Sequence, residues 1–277
     1  MKRIAVISDI HGNLEALRAV LADIETKQCD EIICLGDVVA KGKHNHECVQ
    51  LVRQKCSVTI RGNCDAYFAL DPDTVARERE KNLIRSYQAT MEAEDIQWLC
   101  TLKDCHEFMF SGRLVRMFHA GPDSFNNYSS NTLYASTDEK YSMFLPGKLT
   151  CSKERADVVI YGHIHVQSLQ RLFSRTLISC GSAGNALDFI RNPEKDGDVR
   201  NTVNAQYMIL ESNCGEEYGE LEFRFLQVPY DIEKELADYD DFFEKDAFAF
   251  ELRRGNYRNH EKIRTILLKD GIDLDKV

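Results

Sequence analysis

Five short apolar runs, each followed by an Asp, His or Asn, constrain this chain more than any other feature. Ile4 to Ile7 precede Asp9-Ile10-His11, Ile32 to Leu35 precede Gly36-Asp37, and Val58 to Ile60 precede Gly62-Asn63. Leu114 to Phe118 precede His119, and Val158 to Tyr161 precede Gly162-His163-Ile164-His165. Each run has the length and apolarity of a buried strand. A lone polar residue after a strand is ordinarily a turn or cap residue, but α/β proteins bind ligands where the carboxyl ends of several strands converge. Five such ends describe one crevice. Side chains two residues apart on an extended chain point the same way, so Asp9 with His11, and His163 with His165, are each expected to reach one metal ion. Together these residues make a ligand set for two metal ions.

The organisation of the chain supports strands linked by helices. Asn13 can cap a helix carrying Leu14, Leu17, Val20, Leu21 and Ile24 at helical spacing. Cys48, Val49, Leu51 and Val52 suggest a second helix, so a parallel sheet built by crossover connections is predicted. Residues 65–104 read as a helical insertion anchored by Trp98 and Leu99, and Gly121 to Pro146 as a long loop able to fold over the crevice. Ala205 to Glu211 and Glu220 to Val228 read as antiparallel strands joined through Asn213-Cys214-Gly215 and extending a second sheet. After Pro229 the signals turn helical, over Asp231 to Asp241, Phe242 to Arg254 and Glu261 to Lys269. The predicted division is a catalytic domain over 1–228 and a C-terminal helical appendage over 229–277, acting as a lid or a homo-oligomer contact.

Composition removes several functions. With 43% hydrophobic and 29% charged residues, no apolar stretch approaches the ~18 residues that span a bilayer. Ser8, Asp9 and His11 interrupt the apolar start too soon for a signal peptide, so a cytoplasmic location is expected. Ten cysteines without a Cys-x-x-Cys pair read as reduced thiols, with Cys34 and Cys56 acting as small hydrophobes. A formal charge of -10 argues against nonspecific tracking of nucleic acid, which needs a positive surface. An acidic chain that handles phosphate needs metal cations. His44, His46 and Cys48 make a second cluster, but nothing completes it as a metal site. Lys41 and Lys43 lie close enough to Asp37 in sequence to touch a substrate phosphate, whereas Arg253, Arg254 and Arg258 do so only if the tail folds back, and otherwise form a solvated helix face.

The motif set resembles the calcineurin-like metallophosphoesterase superfamily: Asp-x-His, Gly-Asp, Gly-Asn-His-Asp/Glu, His and Gly-His-x-His, in that order. Here it stands as Asp9-Ile10-His11, Gly36-Asp37, Gly62-Asn63-Cys64-Asp65, His119 and Gly162-His163-Ile164-His165, within about residues 1–190. The run Ser8 to Asn13, the Gly181-Ser182-Ala183-Gly184 loop and Ala205 to Glu211 look like small bacterial members, which include asymmetrical diadenosine tetraphosphate hydrolases. The resemblance implies an α/β fold, a four-layer α/β/β/α metallophosphoesterase sandwich with two packed mixed β-sheets. It further implies that Asp9, His11 and His165 hold one metal, that Asn63, His119 and His163 hold the other, and that Asp37 bridges them. Oxygen and imidazole ligands without thiolate suit manganese, iron or zinc. A metal-bound hydroxide is expected to attack phosphorus in line. Asn63, Asp65 and Arg61 are the expected catalytic groups, and Arg61, Cys64, Gly181 and Ser182 the substrate-binding ones.

Cys64 departs from the pattern, because many relatives carry there a His thought to protonate the leaving group. A thiol is a weak hydrogen-bond donor, so the predicted substrate has a good leaving group: a phosphoanhydride or activated phosphoester of a nucleotide, with a dinucleoside polyphosphate foremost. A packing role for Cys64 is equally open. A phosphoprotein Ser/Thr phosphatase and a noncatalytic scaffold, such as the retromer subunit of this fold, remain the alternative functions.

Overall fold

A computed structural model describes residues 1–126, 135–187, 203–213, 217–258 and 265. In chain order, β1 (Lys2–Ile7), α1 (Leu14–Lys27), β2 (Glu31–Cys34), α2 (Asn45–Lys55) and β3 (Val58–Thr59) form two successive parallel crossovers. Asn13 caps α1 as the sequence predicts, its side chain accepting from the Ala16 N–H at 3.0 Å. Helices α3 (Asn63–Phe68), α4 (Glu78–Gln88) and α5 (Ala93–Thr101) occupy the predicted helical insertion. There follow β4 (Cys105–Phe110), β5 (Arg113–Phe118), α6 (Thr137–Ser142), β6 (Val158–Tyr161), β7 (Gln167–Leu172) and β8 (Arg175–Cys180). The described chain then runs through β9 (Ala205–Ser212), β10 (Glu222–Val228), α7 (Ile232–Leu236) and α8 (Lys245–Arg254).

Two mixed five-stranded sheets result, in the orders β10-β9-β1-β2-β3 and β4-β5-β6-β8-β7. Strand alternation builds the layers. On β1, Ile4 and Val6 enter the core between the sheets with Ile33, Met117, Ile160 and Met208. Ala5 and Ile7 face the other way, into a second core with Leu17, Val20 and Val49 of the helices. Across the second sheet, Phe118, Val159 and Tyr161 pack on Phe144 beyond α6. The architecture is the predicted four-layer α/β/β/α sandwich.

Two expectations require correction. Strands β9 and β10 extend the first sheet, since β9 pairs antiparallel with β1, Ile4 opposite Leu210. Buried along nearly its whole length, β9 needs the covered position beside the central strand. The loop before Pro146 contains α6, started by a capping box in which Ser136 Oγ accepts from Glu139 N and Glu139 Oε2 accepts from Ser136 N. In the C-terminal region, Leu236, Tyr239, Phe242, Phe248 and Leu252 share one core cluster with residues of α1. Residues 127–134 of the predicted loop, the turn residues Cys214 and Gly215, and the predicted 261–269 helix apart from Thr265 lie outside the described residues.

Polar contacts seal this docking. Glu235 of α7 is fully buried and accepts from the Glu15 N–H in the first turn of α1 at 3.0 Å and from the Tyr239 hydroxyl at 2.5 Å. His44 Nδ1 lies 2.9 Å from the same carboxylate, and His46 Nδ1 lies 2.6 Å from Asp95, so both histidines of the loop cluster have structural partners. Glu251 of α8 is also fully buried and accepts from Asn185 Nδ2 and Arg258 Nε, each at 2.8 Å, with Lys41 Nζ at 3.6 Å.

Burial by itself raises the Glu251 pKa, but Lys41 and Arg258 outweigh it and bring it down from an ordinary 4.5 to about 2. The folded value is the lower one, so its stabilisation is complete above the unfolded value and fades as pH falls through the folded one. The difference in unfolding free energy between wild type and Glu251→Gln is expected to be about 3 kcal/mol near neutrality, closing as pH drops from about 4.5 to about 2. Urea denaturation across that window checks it; a difference that does not change with pH defeats the assignment.

Candidate metal centre

The five strand ends do converge, but the predicted reason for their aim is wrong. β1 stops at Ile7 and β6 at Tyr161, so neither ligand pair lies on extended chain. Asp9, His11, Asp37, His163 and His165 have φ of 54°, 52°, 52°, 68° and 61°. Non-glycine residues seldom adopt this left-handed backbone, which costs roughly 1–2 kcal/mol apiece. Hydrogen bonds between loops hold it in place: Asp9 N to Gly36 O at 2.9 Å, His11 N to Asp37 O at 2.9 Å, Gly162 N to His119 O at 2.9 Å and Gly184 N to Asp9 O at 3.0 Å. The approach is close enough to demand glycine. A Cβ on Gly162 would lie 2.0 Å from Ser8 Oγ and 2.6 Å from Asp9 Oδ2, and one on Gly62 2.2 Å from Asp37 Oδ1.

Three imidazoles are oriented alike. Nδ1 of His11, His119 and His165 lies 3.3, 2.9 and 2.5 Å from the carbonyl oxygens of Val39, Leu35 and Asn185, which assigns the proton to Nδ1 and leaves the lone pair on Nε2. Those lone pairs meet carboxylates. His165 Nε2 is 3.4 Å from Asp9 Oδ1, while Asp37 Oδ2 sits 3.6 Å from His11 Nε2 and 3.5 Å from His119 Nε2. Asn63 Oδ1 lies 3.0 Å from His119 Nε2 and 2.9 Å from His163 Nδ1. Two donor groups follow, Asp9 with His11 and His165, and Asp9 with Asp37 and His119, each with its donor atoms within 4.8 Å of one another. All of these residues except the half-buried Asn63 are buried.

The donors fit divalent cations. Asp9 Oδ1 is buried with no hydrogen-bond partner, and the Nε2 atoms of His11 and His165 lie 3.1 Å apart although their Nδ1 contacts put lone pairs on both. A cation among them satisfies all three. Burial, then Lys41, lowers the His11 pKa to about 3, and burial, then His119, does the same for His163, so these rings are neutral near pH 7. Burial would raise Asp9 and Asp37, yet His165 beside the first and His119 beside the second hold both carboxyls well below the usual range. Burial would lower His119, but Asp37 and Asp9 outweigh it and raise it to about 9, so without a cation Nε2 also holds a proton, which a divalent ion would displace.

The sequence model of calcineurin-like phosphoesterases matches residues 2–167, a span that contains every one of these donors. The chain belongs to the calcineurin-like phosphoesterase family. It is 28% identical over 236 residues to an uncharacterized protein of Methanocaldococcus jannaschii, covering 83% of this chain and 89% of that one. Its fold is similar to a metallophosphoesterase from Sphaerobacter thermophilus, with TM-score 0.65 and 22% identity, over 91% of this chain and 99% of the other. It is also similar to a hypothetical protein from Pyrococcus horikoshii OT3, with TM-score 0.68 and 15% identity, over 93% and 100%. This phosphoesterase is thus a metal-dependent enzyme.

Other predicted site residues of the phosphoesterase have different surroundings. Asp65, expected among the catalytic groups, accepts from the backbone N–H groups of Gly62, Asp37, Val38 and Val39 at 2.9, 2.8, 2.9 and 3.3 Å. It ties α3 to the Asp37 loop; burial and the Asp37 charge raise its pKa to about 7. Ser182, expected at the substrate, is fully buried, its hydroxyl donating to Asp9 O at 2.7 Å and accepting from Asn185 N at 2.8 Å. Gly181 is buried beside it, with φ 81°. Ser182 thus braces the Asp9 loop. Arg61 is part-exposed, its guanidinium on Asp104, with Nε at 3.0 Å, and 5.4 Å from the Phe125 ring centre. Cys64 stays at the centre: its sulfur groups with His11 and Asp37, and its N–H donates to Asp37 Oδ1 at 2.8 Å. Burial, then Asp37, pushes its thiol well above the ordinary value. Lys43 contacts Asp238 at 3.4 Å, Arg253 pairs with Glu233 at 2.6 Å, and Arg258 pairs with Glu244 and Glu251.

Sequence reasoning missed Asn185, which orients His165 through a carbonyl that every residue type carries. It also missed the Leu35 and Val39 carbonyls for the same reason. The Gly162→Ala variant is expected to fold yet lose most of its bound metal, because the added methyl overlaps Asp9 Oδ2. Metal content by elemental analysis with far-UV circular dichroism tests this; a folded variant with full metal content contradicts the packing argument.

Proposed function

We propose that this phosphoesterase hydrolyses a phosphoanhydride or activated phosphoester of a nucleotide, with a dinucleoside polyphosphate as the leading candidate. In this reading Asp9, His11 and His165 hold one divalent ion, Asn63, His119 and His163 the second, and Asp37 both, the ions being manganese, iron or zinc. When bound, the pair supplies Lewis acidity and an activated water at phosphorus. The chain's own groups do the positioning. Backbone carbonyls fix the imidazole tautomers, the Asp37 Oδ2 position between His11 and His119 suits a shared ligand, and the Asn63 amide, with its nitrogen 3.4 Å from Cys64 Sγ, lies within reach of a phosphoryl oxygen.

The observation that carries the substrate class is Cys64. A thiol stands among His11 and Asp37 at the metal centre, where the family pattern has an imidazole. Thiols are weak hydrogen-bond donors, and Asp65, the acid that follows, is occupied by backbone amides. Protonation of an alkoxide leaving group therefore has no evident donor among these two residues, and a nucleoside phosphate, which leaves without it, is the better substrate. The formal charge of -10 supports a small phosphorylated molecule rather than a stable nucleic-acid complex. Thiols buried in the core, such as Cys34, Cys48 and Cys180, suit a reducing compartment, in keeping with a cytoplasmic setting.

Dinucleoside polyphosphates, cyclic nucleotides and phosphoserine peptides presented to manganese-loaded protein separate the classes. The dinucleoside polyphosphate is expected to turn over fastest, and Asp37→Asn to lower kcat/KM by more than about a hundredfold. Phosphoserine peptides cleaved faster than dinucleotides would sink the substrate reading. Cys64→His is expected to improve peptide turnover relative to dinucleotide turnover, since a well-placed general acid contributes about a hundredfold or more. An unchanged ratio between the two substrates, with metal retained, removes the role given to this position.

A further inference from the structure

The family match ends at residue 167, yet α8 reaches the metal centre from far beyond it. Glu251 accepts from Asn185 Nδ2 at 2.8 Å, and the Asn185 carbonyl lies 2.5 Å from Nδ1 of His165. The same oxygen, Glu251 Oε2, lies 3.6 Å from Lys41 Nζ, and the Tyr257 ring centre is 5.5 Å from that ammonium. Lys41 is itself fixed beside a metal ligand. Val39 O faces His11 Nδ1 at 3.3 Å, Gly42 N donates to His11 O at 2.9 Å, and Lys41 N donates to the Tyr87 hydroxyl at 2.9 Å, so the loop wraps His11 with Lys41 in its bend. The bend is left-handed at both Ala40 and Lys41, with φ of 81° and 61°.

We propose that Lys41 binds a second substrate phosphate, adjacent to the one under attack, and that Glu251 and Tyr257 position its ammonium. The proposal rests on the phosphohydrolase reading above. Its charge reaches the centre, since it is among the influences on His11 and Cys64. At 3.6 Å the Glu251 contact is an ion pair longer than a hydrogen bond, and the Lys41 side chain keeps 18% exposure, so the ammonium protons can turn to a ligand. Two bound cations would offset the charge of the phosphoryl group under attack, but a polyphosphate carries further negative charge next to it. In a chain of formal charge -10 that charge needs its own cation. A lysine ammonium, a compact charge with three donors on a flexible stem, suits it.

Calorimetric binding of pyrophosphate and of inorganic phosphate to the manganese-loaded full chain tests the assignment without requiring turnover. Wild type is expected to bind pyrophosphate more tightly than phosphate. Lys41→Met is expected to weaken pyrophosphate about tenfold or more and phosphate far less, with metal content near wild type although loss of the ion pair to Glu251 lowers the unfolding midpoint. Lys41→Arg should restore most of the difference, and Lys41→Gln, which keeps a donor for Glu251 but removes the charge, should behave like Lys41→Met even if the latter folds poorly. Pyrophosphate affinity unchanged in a folded, metal-loaded Lys41→Gln chain overturns the proposal. So does equal weakening of both anions accompanied by metal loss, which makes Lys41 only a support of the metal site. Wild-type protein that prefers pyrophosphate yet hydrolyses neither phosphoanhydrides nor phosphoesters overturns the phosphohydrolase reading and leaves the Lys41 assignment standing.

Discussion

Asp9 is the joint on which the two sheets agree. Its N–H reaches Gly36 O in the first sheet's loops, and its carbonyl takes Gly184 N and the Ser182 hydroxyl. Its Oδ2 takes the His163 N–H from the loop after β6 in the second sheet. One carboxylate oxygen is left, Oδ1, buried and without a hydrogen-bond partner among three imidazoles. A buried polar atom left in that state costs about 1–3 kcal/mol, and an ionised one more. The same residue that locks the loops together is therefore poised to hold a cation, so the packing of the sandwich and the composition of its metal centre cannot vary independently.

Asp65 and Ser182, expected among the catalytic and substrate-binding groups, have their side-chain oxygens on backbone groups of these loops. Both stand within a few residues of ligand motifs, and both have side chains suited to catalysis. Their polar atoms are nonetheless used on backbone amides and a carbonyl of the left-handed loops. A loop of non-glycine residues at positive φ has few ordinary partners for its N–H groups. Side-chain oxygens from neighbouring segments supply the missing acceptors.

The strand ends and the ligand types were legible because a fully buried strand is a continuous apolar run and a metal ligand is a rare side chain at its end. The left-handed geometry was not, since Asp and His residues enter it here under the pull of contacts from other strands. β4, β7 and β8 were overlooked because polar residues interrupt Cys105–Phe110, Gln167–Leu172 and Arg175–Cys180, which never build an unbroken apolar run. The strand pairing of β9 was misplaced for a different reason. Sequence shows that Ala205–Ser212 is apolar on both faces, but not which sheet offers it a covered seat. The C-terminal helices presented apolar residues at helical spacing, a pattern that fits equally well against another chain or against α1.

The docking of those helices changes what counts as the active region. In the matched span, carbonyls and carboxylates hold the ligands from within the two sheets. Beyond it, α7 places Glu235 against the first turn of α1 and against His44, while α8 places Glu251 between Asn185 and Lys41. Two fully buried carboxylates on the C-terminal helices thus clamp the Lys41–His44 loop and the Asn185 loop, which flank His11 and His165. Buried carboxylates with several partners are costly to break and tolerate little displacement. The candidate donors and the Lys41 ammonium come from the common part of the fold, whereas the carboxylates that stiffen one wall and pair with that ammonium come from beyond the matched span.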